Sequence, residues 1–184
     1  MLIDHSREKL INAIVYFAKN TNYCGKTKLI KLLYLLDFEH FRDIGRNVIG
    51  LDYYAWSMGP VPTSLFYEID HPKTDLAQKI SVEQKETQHE KRMVLIKAKA
   101  DFDPKHFTDR ELHLLKRLSD EFRNYKADEI VEKTHLKNDP WDRVFNKERR
   151  QNKIIPYEYA LSEDEKELMQ SIISENREML NNYR

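Results

Sequence analysis

The residues able to do chemistry in this 184-residue chain are few and scattered. His135 and Asp139 stand four apart just before Pro140, and in a cleft such a pair could serve as a general base with its orienting carboxylate. Nothing around them completes a reactive set. The four glycines are isolated from one another, so the chain has neither a Gly-rich loop to cradle phosphates nor a nucleophile elbow. Its seven histidines form no His-Glu-x-x-His or His-x-x-x-His ligand pair. His40 and His113 therefore read as packing or surface histidines. Asp37 and Glu39 fall about 200° apart on a helix, which prevents joint acid–base work, and they read as solvated charges. The expectation is a protein with no catalytic residues, no metal and no cofactor.

A second chemistry is contact with nucleic acid. Lys147, Arg149, Arg150 and Lys153 could reach phosphates while Tyr157 stacks on a base. Glu148 interrupts the run, however, and the net charge is zero with pI near 7.1, so no global field draws in a polyanion. The run reads as a solvated face. The first two helices also invite comparison with a helix-turn-helix reader, but the second is too apolar to lie in a major groove. A DNA-binding transcriptional regulator is thus the alternative reading, and nucleic acid is not the expected partner. The single cysteine, Cys24, excludes an intrachain disulfide and suits a reducing cytoplasm. No segment approaches the length of a membrane span, and the N-terminus lacks a basic region followed by a long apolar run. The expected location is cytoplasmic, with no membrane contact.

The elements that would position these residues are mainly helical. Residues 28–41 place Leu29, Leu32, Leu33 and Leu36 on one helical face and Ile30, Tyr34, Phe38 and Phe41 on its neighbour. A helix apolar over most of its circumference belongs in a core, so this is the central helix. Gly25 and Thr27 mark its start and Gly45 its stop. Residues 6–20 predict a first helix with Ser6 as cap. From Leu51 an aromatic run predicts a brief strand, which Met58-Gly59-Pro60-Val61-Pro62 breaks before a short helix through Leu65, Phe66 and Ile69. An antiparallel hairpin is expected near 79–98, with a charged tip over 83–92.

Thr108 and Glu111 form a capping box, with Phe107 and Leu112 as its hydrophobic staple. Their helix carries Leu112, Leu115, Leu118 and Phe122, and a shorter one follows over 127–134. Ser162 and Glu165 form a second capping box before a last helix over about 162–182. The fold class is mainly α with a small β-sheet, in one domain of 184 residues whose last helix is either integral or an appendage.

Three separated segments together resemble the Panacea domain, also described as the SocA-like or phage-associated GepA-like antitoxin domain. Lys28-Leu29-Ile30-Lys31-Leu32-Leu33-Tyr34 is similar to the family's early Lys-Leu-x-Lys-Leu-Leu-Tyr helix. Tyr54-Ala55-Trp56-Ser57-Met58-Gly59-Pro60-Val61 resembles its Ala-Trp-x-x-Gly-Pro-Val segment, and Thr134-His135, Pro140-Trp141 and Ile154 its late positions. The resemblance implies a mostly helical domain with a small sheet. It implies an antitoxin of a bacterial or phage toxin–antitoxin system, which binds a cognate toxin encoded nearby and performs no catalysis. Neutralisation by direct blockade and delivery of the toxin to a cellular protease both stay open. Rigid aromatic anchors suit a binding surface, which points to Trp56, Met58, Gly59 and Pro60 in one loop and Thr134, His135, Pro140 and Trp141 near another.

Overall fold

Two apolar helices joined by a short turn set the core. The structure, a computed structural model, describes residues 5–86, 92–134 and 139–182. Helix α1 (Ser6–Asn20) buries Leu10, Ile11, Ile14 and Phe17 against α2 (Lys26–Ile44). The helix starts match the sequence in part. His5 rather than Ser6 is the residue before the first turn of α1, with Ser6 its first helical residue, and Gly25 stands at the start of α2, with Thr27 already inside the helix. The stop is as expected: Gly45 adopts φ 70°, the left-handed conformation that lets its amide return to Phe41 O at 2.7 Å.

Helix α2 is buried on nearly every side, as its apolar circumference requires, and it takes two lysines inside with it. Lys28 is tolerated because its Nζ donates to three carbonyls, Asn22 O and Tyr125 O at 2.7 Å and Arg123 O at 3.2 Å.

The run 58–62 does not break the chain. It forms a second strand: β1 (Tyr53–Trp56) and β2 (Gly59–Pro62) pair antiparallel, Trp56 opposite Gly59 and Tyr54 opposite Val61. Two prolines are compatible with β2 because antiparallel hydrogen bonding alternates, and Gly59 and Val61 are the residues facing β1. Residues 152–155 then lie along the other side of β1. Lys153 O accepts from Ala55 N at 2.9 Å and Tyr53 O accepts from Ile155 N at 2.8 Å. The result is a three-segment ribbon, with β1 in the middle, packed on α2 along Lys31, Tyr34 and Phe38.

Helices α3 (Thr63–Asp70) and α4 (Thr74–Ala77) lead to the expected hairpin, β3 (Ile80–Glu86) with β4 (Arg92–Ala98), Ile80 opposite Ala98. Its anticipated charged tip lies mostly outside the described residues. The α1–α2 turn docks on β4, where Cys24 O accepts from Ile96 N at 2.8 Å.

Both capping boxes form. Thr108 and Glu111 exchange bonds at the start of α5 (Asp109–Glu121), and Ser162 and Glu165 do so before α8 (Glu163–Asn182). In α5 the buried face is Leu114, Leu115, Leu118 and the capping Phe122, with Leu112 only half-buried. After α6 (Ala127–Thr134), a single turn α7 (Pro140–Asp142) widens into a π-helical turn, and a 3-10 turn (Tyr157–Ala160) precedes α8. The fold is mainly helical with two small antiparallel sheets.

Candidate partner-binding surface

The separated motif residues meet at the β1–β2 hairpin. From α2, Lys31 extends its buried Nζ to Pro60 O at 2.9 Å. That carbonyl is free to accept because Pro60 sits on the register that faces away from β1. From α7, Trp141 donates its indole Nε1 to Trp56 O at 2.8 Å while its ring stacks on Phe145 with centroids 4.8 Å apart. Two side chains from distant parts of the sequence thus hold the backbone of one tight turn.

A third anchor was not read from the sequence. Asp37, taken there as a solvated charge, is fully buried. One oxygen accepts from Val48 N at 3.0 Å and Ile49 N at 2.7 Å, and Gly50 N lies 3.3 Å from both oxygens. The other oxygen accepts from the Tyr53 hydroxyl at 3.1 Å and the Tyr157 hydroxyl at 3.2 Å. Burial pushes this carboxyl up, and the amides of Ile49, Gly50 and Leu51 with the Tyr53 hydroxyl pull it back. Burial also holds the Tyr53 and Tyr157 phenols well above their ordinary range, so both remain donors. Asp37 therefore wraps the loop before β1 around the helix. The signal was available: an acidic residue flanked by Leu35, Leu36 and Phe38 on an all-round apolar helix has no solvent to face. Its neighbour Glu39 does reach the surface, where it pairs with Arg117.

The predicted site residues separate by exposure. Met58, at the hairpin turn, is 64% exposed and Trp56 is half-buried. Gly59, Pro60, Thr134, Pro140 and Trp141 are buried, as are Lys28, Leu29, Lys31, Leu32, Leu33 and Tyr34. Thr134 returns its hydroxyl to Val131 O at 3.0 Å within its own helix. His135 lies outside the described residues, so its pairing with Asp139 does too. His40 is buried with Nδ1 2.7 Å from Arg46 O. The basic run keeps Lys147, Arg149, Arg150 and Lys153 exposed.

Strand alternation turns Tyr53 and Ala55 into the core and leaves Tyr54 and Trp56 on the outer face. Ile154, opposite Tyr54, is 45% exposed, and the Trp56 ring leans on Phe66 at 5.2 Å. Phe66 meets Tyr67, which is 60% exposed, edge-on at 5.5 Å. Lys26 Nζ stands 3.5 Å above the Phe66 ring, a cation–π contact that fixes it. These residues form an apolar, aromatic surface on a braced turn. Sequence reasoning found Trp56 and Met58 there but not Tyr67 or Ile154, because only the tertiary fold brings α3 and residues 152–155 beside the hairpin.

Among the described residues, no group of three or more His, Cys, Asp or Glu could hold a metal ion, and no helix is long and apolar enough to cross a membrane. No curated protein and no solved structure matches the chain. Residues 29–142, more than half of the sequence, match the family described as antitoxin SocA-like, Panacea domain. That span runs from the first leucine of the α2 motif through the hairpin to Asp142, just past the tryptophan that braces it. The chain therefore belongs to the antitoxin SocA-like, Panacea domain family.

Proposed function

We propose that this protein is an antitoxin that neutralises a toxin encoded beside it by binding, without chemistry of its own. The observation that carries the reading is the exposed aromatic surface around Trp56, Met58 and Tyr67, held on a hairpin that Lys31 and Trp141 fix from behind. Exposed apolar surface of this kind is what interaction sites present, and rigid aromatic anchors lose little entropy on association. Gly59, Pro60, Pro140 and Trp141 serve by shaping the turn, and Trp56 and Met58 by touching the partner.

The test is co-expression of the protein with the product of each adjacent open reading frame, scored by pull-down and by rescue of growth. A stable pair with rescue is expected. Within that pair Trp56→Ala should cost about 2 kcal/mol of binding, roughly thirtyfold in Kd, as central aromatic anchors do. Absence of any pair and any rescue would overturn the antitoxin reading. Full binding by a folded variant carrying both Trp56→Ala and Met58→Asp would move the contact elsewhere on the molecule.

A further inference from the structure

The small sheet can be extended on one side only. On the β2 side the outward-facing positions are Pro60 and Pro62, which have no N–H to offer, and Pro60 O is occupied by Lys31 at 2.9 Å. That edge is closed. On the opposite side the edge is open at Ile154. The bonds from Ala55 N to Lys153 O and from Ile155 N to Tyr53 O make Tyr54 and Ile154 a non-hydrogen-bonded pair. The N–H and C=O of Ile154 consequently point away from β1. Among the described residues neither has a hydrogen-bond partner, and the side chain is 45% exposed.

Position and charge say what would dock there. Ile154 continues the aromatic surface, sharing the outer face with Tyr54 and Trp56. The exposed run beside it is basic: Arg150 is compensated by Glu148 at 3.3 Å, whereas Arg149 and Lys153 have no ion pair among the described residues. Arg149 and Asn152 both hold positive φ, 54° and 59°, so the chain turns tightly just before this edge.

We infer that the toxin partner contributes an extended, acidic segment that adds to the sheet at Ile154. One of its residues exchanges two main-chain hydrogen bonds with Ile154, and its carboxylates meet Arg149 and Lys153. The inference rests on the antitoxin reading and adds to it the form and charge of what is bound.

The experiment uses the full chain and the adjacent gene product that pairs with it. Failure of every such product to pair would remove the antitoxin reading itself. With a pair in hand, amide hydrogen exchange of the free protein and the complex tests the edge separately. Exchange at the Ile154 amide should be fast in the free protein and at least tenfold slower in the complex, and unchanged exchange overturns the added strand. Ile154→Pro, which removes the outward N–H, should weaken binding at least tenfold while Ile154→Val does not. The double variant R149E/K153E should weaken binding and flatten its dependence on salt. An unaltered salt dependence overturns the acidic character of the segment.

Discussion

Lys31 is a cation enclosed by the fold with one carbonyl, Pro60 O, as its hydrogen-bond partner. Burial pushes its pKa down to about 7 from the ordinary 10.5. The neutral amine can still donate to Pro60 O, so the brace on the hairpin survives loss of the proton. The sign of the linkage follows. Between pH 7 and 10.5 the unfolded chain binds more protons than the folded one, so stability rises with pH across that window. From pH 7 to 8.5 the gain from Lys31 should be about 1.5 kcal/mol, close to the one-proton limit. Lys28, also lowered by burial, adds in the same direction, and the buried Cys24 thiol, raised to about 11, opposes only above about pH 9. Urea unfolding at pH 7 and 8.5, compared between the native chain and Lys31→Met, isolates the lysine. The variant should lose most of the rise, and equal slopes would show that Lys31 does not titrate there. At this scale the sequence was half legible. The motif identified Lys28 and Lys31 but gave no reason for them. The burial of Asp37 was missed because its donors, the amides of residues 48–50 and two tyrosines, come from loops that no helical spacing describes.

Elements whose ends are written in local chemistry were readable: both capping boxes, the left-handed Gly45 and the long hairpin all lie where spacing put them. The β1–β2 hairpin was not, because Pro and Gly normally signal a break and only the register shows that both prolines face away from the ladder. Its stability as a four-residue pair cannot come from the ladder alone, since isolated two-stranded hairpins are marginal in water. The bracing bond from Trp141 must contribute. Trp141→Phe keeps a large ring beside Phe145 but removes the indole donor to Trp56 O, which then keeps only its place in the ladder opposite Gly59. The cost should be about 0.5–1.5 kcal/mol of stability by chemical unfolding, the net worth of one hydrogen bond. Because the lost bond is at the hairpin, exchange of the β1 amides should also accelerate more than that of α5. A uniform change across both elements would mean that Trp141 acts through general packing instead.

At the level of the whole molecule, the family match ends at Asp142 and leaves the last forty or so residues to be placed. They do not form a unit of one kind. Residues 152–155 and Tyr157 are tied into the domain, the former by pairing on β1 with Ile155 buried and the latter as a donor to Asp37 with its ring stacked on Phe38 at 4.5 Å. Helix α8 is different. Its described ties are Ile172 and Ile173 against Gly45, where a methyl group on the glycine would meet Ile172 Cγ2 at 3.3 Å, and an ion pair from Arg177 to Glu158. Ile172 remains 37% exposed, and most described side chains of the helix face solvent. With so few apolar contacts among its described side chains, the helix reads as adding little to the cooperative unit. We therefore propose that α8 is an appendage to the domain. A chain ending at Ser162 should unfold cooperatively, with Tm lower by no more than about 4–8 °C, the shift that about 1 kcal/mol produces in a domain of modest size. It should still capture the toxin partner within about threefold of the full-length affinity, a difference of about 0.7 kcal/mol. Loss of cooperative unfolding would instead make α8 part of the core. Retained folding with lost capture would place a share of the partner surface on the helix itself, beside the Gly45 end of α2 and away from the hairpin.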